Sequence, residues 1–450
     1  MAEEMHLNGF TLNCPSPHVS GIWTHPRDKV GYDYTDTEYW KDLATTLERG
    51  KFDALFIADQ FGAYSTFKDD HGPAVRNAVQ FPINDPLSII PTMAEVTDHL
   101  GFAATLSTSF YPPYMLSRKL SSLDHLTNGR IAWNIVTSGH KNEFQNFGHD
   151  NVLPHDKRYE RAEEFMEVCY KLWGSWEENA VEKDRNASIY ANAEKVHQIN
   201  HDGDNFSVSG PFLCEPSPQR MPVLYQAGQS DRGREFAAKH AEAVFTGQHS
   251  IESLQSYSTD IKSRAAEYGR NPDNIKIIPG ILPIVGITEE DANEKHNLIK
   301  EKVSIEGSLV HLSGNIGVDF SEYDSDEYLE EMEVPGIQGM IDMFTKINPD
   351  KQWTVREAAE RLSILSPTVV GTGEQVADKL IYWYEESDID GFNIIQADSP
   401  GTLRDFVELV VPILQKRGYH RDEYSHQTMR DTLFETANSE LPSSASTYLQ

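Results

Sequence analysis

The chain has 450 residues, of which 39% are hydrophobic and 24% are charged, a composition typical of globular proteins. Its 70 acidic and 39 basic residues give a net charge of −31, which argues against nucleic acid and anionic membranes as partners. No secretory leader is evident, and no apolar run approaches the ~20 residues that span a bilayer. Three widely spaced cysteines fit no disulfide framework or zinc motif, so we expect a cytoplasmic protein.

Short apolar runs rich in β-branched residues alternate with longer amphipathic runs along most of the chain. The short runs predict strands and the amphipathic runs predict helices. The predicted strands are His6–Leu12, Phe52–Ala58, Gly101–Ser107, Ile131–Val136, Val223–Gln226, Ala243–Thr246, Ile275–Val285 and Phe392–Gln396. The predicted helices are Thr37–Arg49, Pro86–His99, Pro113–Leu126, His155–Trp176, Ser230–His240, Ile251–Tyr268, Gly373–Ser387 and Thr402–Lys416.

This alternation predicts an α/β fold, a (β/α)8 TIM barrel in which residues 1–420 form one catalytic domain. A doubly wound open sheet is the alternative, because it follows from the same order of elements. Three less regular segments are predicted insertions, near residues 140–155, 177–218 and 306–356. The last of them has no clear period and is a candidate lid. Residues 421–450 are predicted to form a polar C-terminal extension.

If the barrel closes, polar side chains meet where its strands end. They are Asn13, Cys14, Asp59, Thr105, Ser107, Asn134, Ser138, Gly228, Ser230 and Gln396. Most of them are neutral hydrogen-bonding groups, no pair of carboxylates stands out as an acid and base, and HExxH and GxSxG motifs are absent from the sequence. Such a pocket suits a cofactor that brings its own reactivity.

The segment Ala227-Gly228-Gln229-Ser230 joins the fifth predicted strand to a helix. Exposed backbone N–H groups, a glycine that allows close approach and Ser230 as the N-cap would make a phosphate site. An ordinary capped turn has the same pattern, and the segment alone does not separate the two interpretations. Gly371-Thr372-Gly373 lacks the third glycine of a dinucleotide fingerprint and predicts only a helix start.

Several loop residues are candidates for chemistry or for ordinary solvation. His18, His140 and His311 are predicted to lie in loops at the barrel mouth, and His155 is predicted to cap a helix. Cys14 directly follows a strand, where it is either a small buried hydrophobic residue or a nucleophile. The remaining candidates share one long polar loop and are Tyr64 and Gln80.

Four long motifs are specific enough to indicate a family. They are GRIAWNIVTS, RYERAEEFMEVCYKLWGSWEENAV, VHQINHDGDNFSVSGPFLCEPSPQR and VLYQAGQSDRGREFAAKHAEAVF. These motifs resemble the bacterial-luciferase-like, reduced-flavin-dependent monooxygenases, in the branch of the nitrilotriacetate, dibenzothiophene-sulfone and long-chain alkane enzymes. The resemblance runs from about Met5 to about Glu435, and KFDALFIAD, AVQFPINDP and GFNIIQ extend it towards long-chain alkane monooxygenases.

The resemblance implies a TIM barrel that binds FMN, which a separate NAD(P)H-dependent flavin reductase supplies as FMNH2, and it implies a homodimer. With O2 as co-substrate, a C4a-(hydro)peroxyflavin would insert one oxygen atom into a small apolar or sulfur-containing substrate, with a long-chain alkane as one candidate. A sulfone or aminocarboxylate substrate is an alternative, as is an F420- or nicotinamide-dependent reductase on the same fold. A non-catalytic flavin-binding protein is the alternative from a different class.

Matching motif positions also imply roles for individual residues. The implied FMN contacts are Asp59, Thr105, Asn134, Ser138, Gly139, Tyr159, Ala227, Gly228, Gln229 and Ser230, and no metal ligand is implied. Tyr159 and the amides of Gly228–Ser230 would hold the phosphate. The implied reaction pocket consists of Cys14, His18, Tyr64, Gln80, His140 and His311. The family has two of these histidines one residue earlier, where this chain has Pro17 and Gly139.

Overall fold

The computed structural model describes residues 4–332, 351–362 and 367–435, together with Ala445 and Tyr448. The strands of these residues are numbered in chain order. They are β1 (His6–Leu12), β2 (Ala54–Ala58), β3 (Gly101–Ser107), β4 (Ile131–Val136), β5 (Val181–Asp184), β6 (Ile189–Ala191), β7 (His201–Asp202), β8 (Ser207–Val208), β9 (Val223–Gln226), β10 (Ala243–Thr246), β11 (Lys276–Gly286), β12 (Thr368–Thr372) and β13 (Gly391–Ile395).

The α-helices are numbered in the same way. They are α1 (Val30–Asp33), α2 (Thr37–Arg49), α3 (Gly72–Arg76), α4 (Ile90–Ala94), α5 (Pro113–Leu126), α6 (Lys141–Asn146), α7 (His155–Trp173), α8 (Asp231–His240), α9 (Ile251–Glu267), α10 (Glu289–Lys302), α11 (Ile305–Ile316), α12 (Val355–Leu362), α13 (Gly373–Glu386), α14 (Gly401–Leu409), α15 (Val411–Lys416) and α16 (Met429–Leu433). Within the described ranges, none of these helices has the length and apolar character needed to cross a bilayer.

Eight parallel strands form a closed ring in the order β1, β2, β3, β4, β9, β10, β11 and β13. β1 pairs with both β2 and β13, and the pairing of β10 with β11 closes the ring. The closed ring confirms the predicted (β/α)8 barrel and excludes the open sheet. A further strand, β12, pairs with Leu282–Gly286 in the carboxyl-terminal half of β11.

All eight predicted barrel strands occur within two residues of their predicted bounds. β12 was not predicted, because its last residues belong to the Gly-Thr-Gly segment that was interpreted only as a helix start. That interpretation was correct for α13, which has a capping box formed by Thr372 and Gln375. α10 was missed because it buries only Ala292 and Ile299, too few residues to give a clear apolar stripe.

Two predicted helices differ from those observed, and both contain proline. The predicted helix Pro86–His99 is a short 3-10 turn, Pro86–Ser88, followed by α4, which ends at Ala94. The predicted helix Thr402–Lys416 is divided at Val410 into α14 and α15, with Pro412 in the first turn of α15. Proline is tolerated in a first turn, where it removes no helical hydrogen bond, and therefore marks a new helix start.

The predicted insertions contain local structure of their own. Residues 177–218 contain two small hairpins, β5–β6 and β7–β8. The prediction of no regular period over residues 306–356 is wrong at its start, because α11 occupies Ile305–Ile316. Beyond α11, a small core forms around Leu312, Phe320 and Trp353. The rest of this predicted lid, residues 333–350, lies outside the described residues.

The first part of the C-terminal extension closes the amino-terminal end of the barrel. Met429 and Leu433 of α16 pack into a cluster inside the ring with residues of six strands, including Phe56 and Tyr225. Arg430, buried beside them, pairs with Glu242 at 2.7 Å and donates to three backbone carbonyls. Met429, Arg430 and Leu433 are therefore part of the barrel core, while residues 441–450 at the end of the predicted extension lie largely outside the described residues.

Removing the Arg430 guanidinium should destabilise the barrel strongly. Arg430→Ala leaves the carboxylate of Glu242 buried, at 1% exposure, without its cation. Breaking a buried pair from one side costs about 3–5 kcal/mol, so urea unfolding followed by circular dichroism should show a loss of that size. Arg404→Ala, which removes a half-exposed arginine paired with Asp42, should cost less than about 1 kcal/mol. Equal losses in the two variants would contradict the role given to Arg430.

Candidate functional site

Two pairs of buried polar side chains lie towards the carboxyl ends of the barrel strands. Asn134 of β4 donates to the hydroxyl of Thr105, its partner in β3, at 2.9 Å. Gln396, just after β13, donates to the hydroxyl of Thr11 at 2.7 Å. Among the described residues, Asn134 Oδ1 and Gln396 Oε1 have no partner. An unpaired buried acceptor costs about 1–3 kcal/mol, so these atoms fit a site that is completed by a ligand or by water.

The turn after β9 and the start of α8 form a concave site beside a tyrosine. Ser230 is the N-cap of α8, and its hydroxyl accepts a hydrogen bond from the amide of Gly233 at 3.1 Å. A Cβ atom on Gly228 would lie 2.9 Å from the Tyr159 hydroxyl, and one on Gly233 would lie 2.8 Å from it. The two glycines therefore leave room beside the phenol, at the positive end of a helix dipole. This geometry favours the phosphate-site interpretation of the turn.

The other two residues of the turn use their polar groups within the protein. The Gln229 side chain accepts hydrogen bonds from Thr246 and Gln248, each at 3.2 Å, and thereby links the turn to the loop after β10. It also lies 3.3 Å from the carbonyl oxygen of Ala227, to which it donates. Gln229 and Ala227 can therefore serve an anion only through their backbone, whereas Ser230 also brings a hydroxyl.

Two residues near this turn were not found as ligand candidates by the sequence analysis. His155 Nε2 lies 3.1 Å from the Ser230 hydroxyl, and the predicted capping role is wrong because Pro154 is the N-cap of α7. A guanidinium nitrogen of Arg158 lies 2.8 Å from the position of a Cβ on Gly139. The sequence held a usable signal, since Arg158 and Tyr159 stand at the i+3 and i+4 positions from His155. The three side chains are therefore neighbours on one side of α7.

The loop after β4 runs past the neighbouring strand ends. Ser138 adopts a left-handed backbone conformation with φ 50°, and its hydroxyl donates to that of Ser107 at 2.9 Å. The amide groups of Gly139 and His140 donate to the buried carboxylate of Glu143 at 3.2 and 3.1 Å. Glu143 is another residue that the sequence analysis did not single out.

Asp59 follows β2 and has an unusual protonation state. The pKa of its carboxyl is raised to about 8, mainly by burial and also by the neighbouring Asp85 and Glu143 carboxylates. A hydrogen bond from the Gln60 amide acts in the opposite direction. At neutral pH Asp59 is therefore mostly a protonated acid that can donate a hydrogen bond. The Gln60 side-chain nitrogen is itself buried and has no partner within the described ranges.

A tyrosine, a glutamine and two histidines meet above the strand ends. Tyr64 donates to Gln80 Oε1 at 3.0 Å, and Gln80 in turn donates to the carbonyl of Pro17 at 3.0 Å. The Tyr64 ring centre is 5.8 Å from the ring of His140 and 5.1 Å from that of His311, edge-on in both cases. His140, one residue later than the histidine of the family motif, is thus in contact with Tyr64.

His311 lies in helix α11, so its predicted place in a loop is wrong. α11 passes over Tyr64 at Gly314, where a Cβ atom would lie 2.1 Å from the tyrosine ring. The helix was missed because its Val310 packs with Tyr64 on one face while its Leu312 packs with Phe320 on another. Apolar residues on two faces hide the one-sided period that predicts a surface helix.

The ionisable groups of this pocket are held in their neutral forms. The pKa values of His18 and His311 are both lowered to about 4, mainly by burial. Proximity to His140 contributes to the lowered pKa of His311. His18 Nε2 donates to the Phe10 carbonyl at 2.9 Å, which leaves Nδ1 as an acceptor. Burial raises the pKa of the Cys14 thiol, so Cys14 is not a thiolate nucleophile at neutral pH.

Together these features define a class of protein. A site for an anionic group and a pocket of neutral hydrogen-bonding side chains share the carboxyl end of one closed barrel. Loops at this end of a TIM barrel carry the active site in this fold. The arrangement is that of a barrel enzyme whose cofactor performs the redox or group-transfer chemistry.

Comparison with known proteins identifies the family. The sequence profile of the luciferase-like monooxygenases matches residues 18–391. Long-chain alkane monooxygenase of Geobacillus thermodenitrificans is 50% identical over 443 residues, 98% of this chain and 97% of that protein. Dimethyl-sulfide monooxygenase of Hyphomicrobium sulfonivorans is 43% identical over 439 residues, covering 97% and 91%. Nitrilotriacetate monooxygenase component A of Aminobacter aminovorans is 38% identical over 439 residues, 96% of each.

Solved structures agree with this result. The crystal structure of long-chain alkane monooxygenase superimposes with a TM-score of 0.91 at 48% identity, covering all of both chains. A riboflavin lyase crystallised with modified FMN and riboflavin gives a TM-score of 0.90 at 31% identity, covering 99% of this chain and 100% of that one. The chain belongs to the luciferase-like monooxygenase family, and the predicted family and branch are confirmed.

Adding a methyl group at Gly314 should disturb the contact between α11 and Tyr64. Gly314→Ala forces the helix or the tyrosine ring to move, because the new carbon would lie 2.1 Å from a ring atom. Overpacking of this kind costs about 1–3 kcal/mol, to be measured by urea unfolding. Asn315→Ala, at the next and exposed position of α11, is the control. A Gly314→Ala variant as stable as that control would contradict the described contact.

Proposed function

We propose that this protein is the oxygenase component of a two-component system, in which a separate NAD(P)H-dependent flavin reductase supplies FMNH2. The proposed reaction places one atom of O2 in a small, uncharged organic substrate. The observation that carries the proposal is the position of the anion site at Gly228–Ser230 and Tyr159 at the same barrel mouth as the neutral pocket around Tyr64. Family membership supports flavin-dependent oxygenation in general, and the relatives' names support this class of substrate.

The residues present fit FMN. Tyr159, the amides of Gln229 and Ser230 and the Ser230 hydroxyl would hold its phosphate, with His155 and Arg158 as further donors. The amide of Gly228 is not among these donors, because it donates to Gln226 Oε1 at 2.6 Å. The unpaired Asn134 Oδ1 and the protonated Asp59 offer an acceptor and a donor, which the polar edge of a flavin ring requires. Binding of FMN is further supported by the modified FMN in the similar riboflavin lyase structure.

The protein's own residues would supply an environment for oxygen chemistry. Bound reduced flavin provides the electrons that activate O2. Tyr64, Gln80 and the neutral His18 and His311 provide hydrogen-bond donors and acceptors without introducing charge. Cys14, just after β1, and His311 of α11 are both buried, so the part of the pocket that they line would exclude water.

Charge around the pocket favours a neutral substrate over a carboxylate. The charged groups that act on Tyr64 and Asp59 are the carboxylates of Glu143 and Asp85. Over the described ranges, no lysine or arginine forms a hydrogen bond or ion pair with the six residues of the predicted reaction pocket. A polyanion would therefore be repelled. This distinction separates alkanes and sulfides from nitrilotriacetate, the substrate named for one relative.

The proposed function can be tested with a substrate panel. The protein is supplied with FMN, NADH and a flavin reductase under ¹⁸O2, and with a long-chain alkane, dimethyl sulfide, dibenzothiophene sulfone or nitrilotriacetate. We expect one ¹⁸O atom in the product of a neutral compound, detected by mass spectrometry, and no product from nitrilotriacetate. If the protein is instead a reductase or a non-catalytic flavin-binding protein, no compound will give a labelled product. That result would refute the proposal.

His311 should matter for oxygenation and not for flavin binding. His311→Ala removes a neutral, buried imidazole that contacts Tyr64 on the side of the pocket formed by α11. General acid–base or hydrogen-bonding groups of this kind contribute about 10²–10⁴-fold, so ¹⁸O incorporation should fall by at least a hundredfold. FMN affinity, measured by flavin fluorescence, should stay within about threefold of the wild type. Unchanged incorporation would remove His311 from the proposed mechanism.

FMN binding should weaken as pH rises through about 8. Asp59 is surrounded by Asp85, Glu143, Cys14 and Tyr111, and its pKa of about 8 makes it a protonated donor below that pH. Above it the carboxylate loses this donor, and we expect about tenfold weaker binding of oxidised FMN at pH 9 than at pH 7. Asp59→Asn keeps a donor at all pH values and should abolish the step. A step that persists in Asp59→Asn would show that another group is responsible.

A further inference from the structure

Helix α6 connects two loops that carry residues of both the predicted flavin site and the predicted reaction pocket. One is the loop after β2, which begins with Asp59 and leads to Tyr64, and the other is the loop after β4, which contains Ser138–His140. α6 spans only six residues, and it follows the second loop directly while it packs against the first. Its polar side chains are therefore placed to hold the two loops relative to each other.

One carboxylate makes the connection between these loops. Glu143 Oε2 accepts hydrogen bonds from the amides of Gly139 and His140, at 3.2 and 3.1 Å. Glu143 Oε1 accepts from the amide of Phe61 at 3.2 Å and lies 3.4 Å from the Ser138 hydroxyl. A single side chain thus binds backbone groups of both loops.

Glu143 is a buried carboxylic side chain whose hydrogen-bond donors are mainly backbone amides. It is 3% exposed, and within the described ranges no lysine or arginine forms an ion pair with it, while the Arg158 guanidinium is near enough to act on it electrostatically. Backbone amides are the donors that satisfy its charge, and hydrogen bonds to a charged group are about twice as strong as neutral ones. A buried carboxylate costs free energy unless it is satisfied in this way, so a neutral residue would serve if fastening the loops were the only requirement.

We propose that Glu143 is a positioning residue for flavin binding, which fixes the loop of Asp59 against the loop of Ser138–His140 and acts electrostatically on Asp59. The inference rests on the proposed function, since it assigns these loops to FMN. Close packing supports it, because a Cβ atom on Gly62 would lie 2.7 Å from the Glu143 amide nitrogen and push α6 away. Glu143 also contributes to the raised pKa of the Asp59 carboxyl, after burial and Asp85.

The chain provides a matched control on the same helix. Asn146 is exposed and also fastens α6 to the first loop, donating to the Phe61 carbonyl at 2.7 Å, but it carries no charge and does not contact the second loop. Glu143→Gln keeps the size of the side chain and places an amide where the backbone donors need an acceptor. Asn146→Ala removes a loop contact without changing the charge near Asp59.

Binding of oxidised FMN by both variants tests the proposal. Glu143→Gln should raise the Kd about tenfold, because charge-assisted hydrogen bonds are lost, whereas Asn146→Ala should raise it less than about threefold. Glu143→Gln should also move the pH midpoint of binding to lower pH by about half a unit or more, because a negative charge near Asp59 is gone. A merely structural role would not move this midpoint. If Glu143→Gln matched Asn146→Ala in both quantities, the proposal would be overturned.

Two further measurements keep the test decisive. Gly62→Ala displaces α6 with the carboxylate retained, so it should weaken FMN binding more than Asn146→Ala does. Equal binding by these two variants would overturn the proposal even if Glu143→Gln failed to fold. Amide hydrogen exchange of residues 138–140, measured without flavin, should be at least tenfold faster in Glu143→Gln, and unchanged exchange would overturn it. Failure of the wild type to bind FMN would refute the proposed function, and the exchange result would still decide whether Glu143 positions the loop.

Discussion

Pairing of β10 with β11 is the constraint on which the site depends, because it closes the parallel sheet into a ring. Once the ring is closed, the ends of all eight strands face one mouth, and polar residues far apart in sequence become neighbours. At this mouth Asn134 lies 2.9 Å from Thr105, its register partner in the adjacent strand, and Gln396 reaches Thr11 across 385 positions of sequence. The residues at the mouth are held by strands, which cannot shift independently.

The two ends of the barrel differ in the charge of their buried side chains. At the amino-terminal end, Arg430 and Arg421 are paired with Glu242 and Asp53, which stabilises the closure by C-terminal residues. At the mouth, burial keeps histidines, a thiol and one aspartic acid neutral near pH 7. A pocket of neutral side chains, next to a site that can hold a phosphate, suits a cofactor with its own reactivity and an uncharged substrate.

Sequence patterns predicted the barrel well, because each strand is a short buried run whose signal is local. Ile131–Val136 and Val223–Gln226 match their predicted bounds, and the helix cap at Ser230 matches as well. α11 and β12 could not be predicted this way, since their burial depends on partners elsewhere in the chain. The raised pKa of Asp59 and the role of Glu143 also arise from tertiary burial, which no local pattern encodes. Long family motifs supplied the candidate site residues that spacing alone left open.

A crystal structure of the protein with bound FMN would test the central claim most directly. The account predicts the phosphate within hydrogen-bonding distance of the Tyr159 hydroxyl and the Ser230 hydroxyl, with the flavin ring lying between the loop of Asp59 and the loop of Ser138–His140. A phosphate bound elsewhere, or a ring outside the barrel mouth, would contradict it.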